Sequence, residues 1–129
     1  MQKALVISYF FPPCNLTASQ RAQSWATYFS NFGYKPVIVT RRWDHKISDL
    51  SDVSKPTPPE VKHEVFENYE VYYLPYHSNL RDKIYLKYCN ARFVCLRKTL
   101  TLLELFLQPF FDAAIPYSNI YTFCKRYRA

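Results

Sequence analysis

The sequence predicts an α/β fold, a partial doubly wound, Rossmann-like parallel sheet of at least three strands with flanking helices. Two short apolar runs, at 4–11 and 36–40, enclose an amphipathic stretch, and a third apolar run lies at 69–75. Continuous apolar runs are typical of strands covered on both faces. A helix that connects two such strands makes them parallel, with a right-handed crossover.

The first helix is expected to begin shortly after the first strand. Pro12 and Pro13 end the strand, and Thr17 with Gln20 three residues later has the pattern of a capping box, with Ser19 as the alternative N-cap. One stripe of this helix is apolar and consists of Ala22, Trp25, Ala26, Phe29 and Phe32. The spacing of this stripe is that of an amphipathic helix.

The predicted β-α-β-loop-β core spans 1–76. Gly33 is expected to end the first helix in the left-handed conformation. Residues 42–67 are polar and contain three prolines, which predicts one long surface loop before the third strand. Three strands are fewer than a complete doubly wound sheet contains, so residues 1–129 are expected to form a single partial domain.

Residues 77–129 are predicted to form a basic helical region. Asn79 caps a segment that ends near Tyr88, and a second helix is predicted over 91–108. The apolar stripe of this second helix consists of Phe93, Leu96, Leu100, Leu103 and Leu107. In a partial domain this stripe is left uncovered and is expected to find a partner. A further helix is predicted at 117–128.

The junction of the first strand and the first helix is the predicted substrate- and phosphate-binding site. In α/β proteins, anionic ligands bind at the carboxyl ends of strands and against helix N-termini. The chain has one glycine, which excludes a glycine-rich phosphate loop. The candidate residues are therefore Ser19, Gln20 and Arg21. The alternative is that Ser19 is a plain cap and Arg21 an exposed helix residue.

The net charge of +7 is concentrated at the C-terminal end of the chain. Six cations that alternate with apolar and aromatic residues form the predicted membrane or acceptor surface: Arg81, Lys83, Lys87, Arg92, Arg97 and Lys98. Such cations bind anionic lipid headgroups, with Tyr85, Tyr88 and Phe93 at headgroup level. The main alternative is a solvated helix face. Because the sequence has no RNA-binding motif, no nucleic-acid partner is predicted.

Composition excludes several classes of site. The four cysteines form no CxxC pair and no histidine lies at ligand spacing, so neither a metal nor another cofactor is predicted. The apolar N-terminus lacks a small-residue cleavage site, and no run reaches the roughly 20 apolar residues of a membrane span. We therefore expect a cytoplasmic protein, with a peripheral position on the inner face of the membrane as a further option.

The chain resembles the N-terminal, acceptor-side domain of family 4 (group 1) glycosyltransferases, which have the GT-B fold. The resemblance is carried by Ser8-Tyr-Phe-Phe-Pro-Pro13 with Ser19-Gln-Arg21, by Phe32-Gly-Tyr-Lys-Pro-Val-Ile-Val-Thr40 and by Tyr69-Glu-Val-Tyr-Tyr-Leu-Pro75. It covers 1–76 well and 77–129 loosely. Two features depart from the family pattern, since the first loop has no glycine and the chain has no Glu-x7-Glu motif of the donor domain.

The resemblance implies the acceptor-side part of a sugar-nucleotide-dependent glycosyltransferase of the hexosyltransferase type, truncated before its donor domain. The implied partners are a nucleotide sugar and a glycan or lipid-linked acceptor. Without a donor domain nothing clamps the diphosphate leaving group, so the chain alone is expected to be inactive and no catalytic residue is assigned. The alternative is a noncatalytic α/β module that self-associates through open sheet edges.

Overall fold

The computed structural model describes residues 1–111 and 118–127, which form one sheet with helices around it. The strands are β1 (Gln2–Ile7), β2 (Tyr34–Arg41), β3 (Lys62–Val65) and β4 (Glu70–Leu74). The helices are α1 (Thr17–Tyr28), α2 (Leu80–Tyr88), α3 (Val94–Leu107) and α4 (Ser118–Arg126), with short 3-10 helices at Phe29–Phe32 and Leu50–Ser54. The predicted α/β class is confirmed. The two ends of the helix predicted at 117–128 lie outside the described residues.

Three of the four strands are parallel, in the sheet order β1-β2-β4-β3. The fourth, β3, runs antiparallel to β4, so the sheet is mixed. The prediction of one long loop over 42–67 is therefore wrong for Lys62-His-Glu-Val65. This segment has a single apolar residue, and its strand conformation comes from pairing with β4. The Phe66 N–H closes the hairpin with a 2.9 Å hydrogen bond to the Tyr69 carbonyl.

Neighbouring residues of β2 point to opposite faces of the sheet and belong to two apolar clusters. One cluster joins the sheet to α1 and consists of Phe11, Ala22, Ala26, Ile38, Val71 and Tyr73. The other joins the sheet to α4 and consists of Val39, Leu74 and Ile120. Because Ile38 and Val39 are both fully buried, β2 is the centre of the core.

β1 is an edge strand with one uncovered face. Within the described ranges, β2 is its one neighbouring strand. Val6 packs against the α1 cluster, whereas Leu5 and Ile7 point to the other face and are 37% and 59% exposed. An open edge beside apolar side chains is a surface that another strand can extend.

The N-terminus of α1 differs from the predicted capping box. Leu16 is the N-cap, and no side chain accepts a capping hydrogen bond. Thr17 is already the first helical residue, and the buried Ser19 hydroxyl lies 2.7 Å from the carbonyl oxygens of both Cys14 and Leu16. Ser19 therefore fixes the incoming loop instead of capping the helix. Gly33 is left-handed, with φ of 81°, as predicted, but it ends the 3-10 helix Phe29–Phe32 rather than α1 itself.

The basic helical region contributes α2, α3 and α4, of which α2 and α3 pack on each other. The Asn79 side chain caps α2 as predicted, accepting a 2.9 Å hydrogen bond from the Asp82 N–H. None of the residues of α3 is buried. Leu102 and Phe106 are 67% and 68% exposed, so this helix presents an apolar surface.

Candidate functional site

The carboxyl ends of the three parallel strands bring together an aromatic cage around one arginine. Tyr9 follows β1, Arg41 ends β2, and Tyr76 follows β4. The Arg41 guanidinium carbon lies 5.5 Å from the ring centre of Tyr9, 4.2 Å from that of Trp43 and 3.7 Å from that of Tyr76. Cation–π attraction of this kind stabilises a charge removed from water.

Arg41 is buried and holds the loop that follows β2. Its guanidinium donates to the Tyr9 hydroxyl at 2.5 Å and to the carbonyls of Val53 and Lys55 at 2.5 and 3.0 Å. No carboxylate of residues 1–111 or 118–127 lies within ion-pair distance of it. The rings and the loop carbonyls therefore replace a counter-ion, and the residue positions the loop rather than facing a ligand.

The same loop is fixed a second time through Asp52. Lys55 Nζ donates to Asp52 Oδ1 at 2.6 Å, and the N–H groups of Ser48 and Asp49 donate to Oδ2 at 3.0 and 3.1 Å. Lys55 first, and then these backbone donors, hold the pKa of Asp52 well below its usual range. These bonds, with those from Arg41, hold the segment 48–55 beside the carboxyl end of the sheet.

A cleft of about 330 Å³ opens beside Pro12 and Pro13, and we call it the proline cleft. The rings of Trp43 and Tyr73 line it together with two ion pairs. Arg42 Nε lies 2.8 Å from Asp44 Oδ1, and Lys62 Nζ lies 2.6 Å from Glu64 Oε1. The two cations and two carboxylates balance, so the lining carries rings and hydrogen-bonding groups but no net charge.

Chain topology explains how distant residues meet in this cleft. Arg42, Trp43 and Asp44 directly follow β2, while Lys62 and Tyr73 are paired across β3 and β4. The Trp43 indole donates a 3.0 Å hydrogen bond to the Tyr9 carbonyl, which fixes its ring. Burial raises the pKa of Tyr73, so its phenol stays protonated at neutral pH.

The predicted phosphate-binding residues lie at the start of α1, away from these charges. Gln20 and Arg21 are exposed, whereas Ser19 is buried with its hydroxyl bonded to backbone carbonyls. Arg21 borders an open depression of about 470 Å³ together with Ser8 and Trp25. In the described structure Arg21 has no carboxylate partner, so its charge is available to an anion.

The six predicted surface cations fall into two groups. Lys83, Lys87, Arg92 and Lys98 are exposed. Arg81 and Arg97 are half-buried: Arg81 lies 3.4 Å from Asp82 Oδ1 and 3.7 Å from Glu104 Oε2, and Arg97 lies over the Tyr85 ring. The structure thus brings Arg81, Arg97 and Lys98 to one cleft between α2 and α3, and leaves the other three outside it.

The described residues contain no group of three or more His, Cys, Asp or Glu that could hold a metal ion. Nor does any helix among them have the length and apolar character needed to cross a membrane. The four cysteines are free. Cys14 follows Pro13 but is buried, and burial raises the pKa of its thiol, so it is no reactive thiolate at the helix start.

No protein-family model, curated protein or solved structure matches this chain.

Sequence reasoning missed the residues of the aromatic cage and of the proline cleft. Their positions in the sequence could have indicated the aromatic cage, because Tyr9, Arg41 and Tyr76 each lie at the carboxyl end of a predicted parallel strand. The proline cleft could not be predicted in the same way, because its Lys62 and Glu64 belong to β3, in a segment predicted to be a loop.

Proposed function

We propose that the chain is the acceptor-side part of a sugar-nucleotide-dependent glycosyltransferase and that the proline cleft binds a neutral glycan acceptor. The observation that carries the proposal is the lining of this cleft. Hydroxyl-rich, uncharged ligands need donors and acceptors in equal measure, together with some apolar surface. Trp43 and Tyr73, each only 6% exposed, supply the ring atoms that reach the cleft, and the Arg42–Asp44 and Lys62–Glu64 pairs supply the polar groups.

The charge balance of the proline cleft also favours the acceptor over the donor. A departing nucleoside diphosphate needs excess positive charge or backbone donors around it. We infer that those groups belong to a separate donor domain, and that the chain alone transfers no sugar. Arg21 at the start of α1 stays a predicted contact for a phosphate of the donor in the assembled enzyme.

Two measurements test this function. The purified chain should bind neutral saccharides in calorimetry, and incubation with UDP- and GDP-sugars should give neither hydrolysis nor transfer. The double variant Asp44→Asn, Glu64→Gln removes the two carboxylate charges that would accept hydrogen bonds from the saccharide. It should weaken saccharide binding about tenfold. The control is Glu60→Gln with Glu67→Gln, two exposed carboxyls outside the cleft, which should bind like the parent. Steady turnover by the chain alone would contradict the proposal.

The second candidate function is a noncatalytic α/β module that self-associates, and the edge strand β1 favours it. Leu5 and Ile7 are exposed beside a strand edge that no described strand covers. Two copies that pair their β1 strands antiparallel would continue the sheet and cover both side chains. The two functions are compatible, because the β1 edge and the proline cleft use different residues.

We further propose that the exposed cations and α3 place the chain on an anionic membrane surface. Lys83 and Lys87 project from α2 into solvent, and the exposed apolar residues of α3 continue to Phe110 and Phe111. An apolar helix with cations beside it is the composition of an interfacial helix. A lipid-linked acceptor would then be presented at that surface.

A further inference from the structure

A second cleft, of about 570 Å³, lies between α2 and α3. Its cationic lining is Arg81, Arg97 and Lys98, and its floor is made by Tyr85, Val94 and Leu102. The proline cleft is charge-balanced, whereas this one is lined by three cations and the carboxylate of Asp82, with the Glu104 carboxylate 3.7 Å from Arg81 beside it. The two clefts therefore suit different ligands.

The carboxylate in this cleft is already occupied by protein donors. Asp82 is buried and accepts a hydrogen bond from the Tyr76 hydroxyl. It also accepts from Ser54 Oγ at 3.3 Å and from Arg81 Nη2 at 3.4 Å. Arg81 pairs with both Asp82 and Glu104, and Arg97 and Lys98 are the lining cations that have no carboxylate partner among the described residues.

Arg97 is held in place without a counter-ion. Its guanidinium carbon lies 4.8 Å from the Tyr85 ring centre, and Nη2 donates to Asn90 Oδ1 at 2.8 Å. In the described structure its Nε is buried without a hydrogen-bond partner, and no carboxylate pairs with it. Lys98, one residue further along α3, is exposed and likewise has no ion pair among the described residues. Among the described residues the Nη groups donate only to Asn90, and a fixed guanidinium with unused Nη donors is suited to a tetrahedral oxyanion.

We propose that the α2–α3 cleft binds a phosphate monoester, with Arg97 and Lys98 on the phosphate and the Tyr85–Val94–Leu102 floor under the group that the phosphate is attached to. The phosphate oxygens accept from the Arg97 Nη groups and from Lys98 Nζ. The apolar floor favours an ester with a ring or an alkyl chain over the bare ion. This site does not depend on the proposed glycan acceptor function, since the two clefts share no residue.

The test is a titration of the ¹⁵N-labelled full chain with three probes: phenyl phosphate, inorganic phosphate and phenol. Phenyl phosphate should bind at least about tenfold more tightly than either of its parts, because it uses both the cations and the floor. The shifts should be confined to α2 and α3. Dihexanoyl phosphatidic acid, used below its critical micelle concentration, is a phosphate monoester with a lipid group. If it binds more tightly than phenyl phosphate, the ligand is a lipid headgroup; if it binds more weakly, the ligand is a soluble monoester.

Matched variants make the result decisive. Arg97→Gln with Lys98→Gln should weaken phenyl phosphate binding about tenfold or more, while Lys83→Gln with Lys87→Gln, which removes the same charge from α2 outside the cleft, should leave it unchanged. Lys98→Gln alone changes an exposed position and so does not endanger folding. It should weaken phenyl phosphate binding about fivefold. Any of three results would overturn the site. The two double variants could lose phenyl phosphate affinity equally, inorganic and phenyl phosphate could bind equally well, or the resonances of α2 and α3 could fail to shift.

Discussion

The guanidinium carbon of Arg41 lies 3.7 Å from the ring centre of Tyr76, and the two residues come from the carboxyl ends of adjacent parallel strands. Burial, and then the hydrogen bond to Asp82, raise the pKa of Tyr76. Tyr76 therefore stays neutral and presents an intact ring to the cation while its hydroxyl holds α2. One contact thus connects the sheet, the loop after β2 and the basic helices.

Replacing Arg41 by Gln should destabilise the fold. The variant loses the ring contacts and leaves the carbonyls of Val53 and Lys55 without their donor, which should cost about 2–4 kcal/mol in the free energy of unfolding. Arg21→Gln removes the same charge from an exposed position of α1 and should cost less than about 0.5 kcal/mol. Urea unfolding followed by circular dichroism compares them, and equal midpoints would refute the role of Arg41.

Stability should fall in acid through Asp52 and Glu70. Lys55 lowers the pKa of Asp52, and Lys35 is the main cause that lowers the pKa of Glu70. A carboxyl whose pKa is lower folded than unfolded adds stability above the unfolded pKa of about 4, and this contribution is lost as the pH falls through the folded pKa.

Urea unfolding at pH 7, 5 and 3 measures this dependence. Asp52→Asn should reduce the change in the free energy of unfolding between pH 5 and pH 3. Glu67→Gln, at an exposed side chain without a described partner, should keep the parent dependence. An unchanged acid dependence in Asp52→Asn would show that the carboxylate adds nothing to the fold.

The open edge of β1 predicts self-association. Leu5→Lys with Ile7→Lys places charges on the exposed face beside the edge and should abolish dimers, since like charges would face each other across a two-fold pairing. Leu50→Lys, at a 74% exposed position of the 3-10 helix, is the control. Sedimentation velocity at tens of micromolar measures the oligomeric state of each variant. A parent chain that is monomeric at this concentration would rule out the β1 edge as an interface.

Binding to anionic vesicles should depend on Lys83 and Lys87. Each well-placed cation adds about 1 kcal/mol, so Lys83→Gln with Lys87→Gln should weaken binding about thirtyfold, and salt should weaken it for the parent. Arg21→Gln with Lys46→Gln removes two exposed cations elsewhere and should have little effect. If co-sedimentation finds equal binding to neutral and acidic vesicles, α2 is only a solvated helix face.

The sequence predicts the elements whose signals are local. Gly33 and Asn79 mark helix ends because a left-handed residue and a capping amide act within a few residues. The β1, β2 and β4 strands are evident from apolar runs. In α1, however, Ala22 and Ala26 are buried while Trp25 is 44% exposed, because the helix turns its small residues to the sheet. The hydrophobic periodicity of the sequence does not show which of these residues faces the sheet.

The site depends on pairings that no local pattern contains. β3 is polar and becomes a strand only beside β4, so the Lys62–Glu64 pair and with it the proline cleft could not be foreseen. Arg41 falls between the predicted strand 36–40 and the predicted loop 42–67, yet three rings from three chain segments surround it. Tertiary contacts decide both cases.

The most direct test of the proposed acceptor function uses the two tryptophans of the chain. Trp43 lines the proline cleft, whereas Trp25 lies on α1 and provides the internal control. On titration with neutral mono- and disaccharides, the indole N–H resonance of Trp43 should shift and saturate while that of Trp25 stays fixed, and Asp44→Asn should diminish the shift. A Trp43 resonance that no saccharide moves, or that moves equally with Trp25, would contradict glycan binding at this cleft.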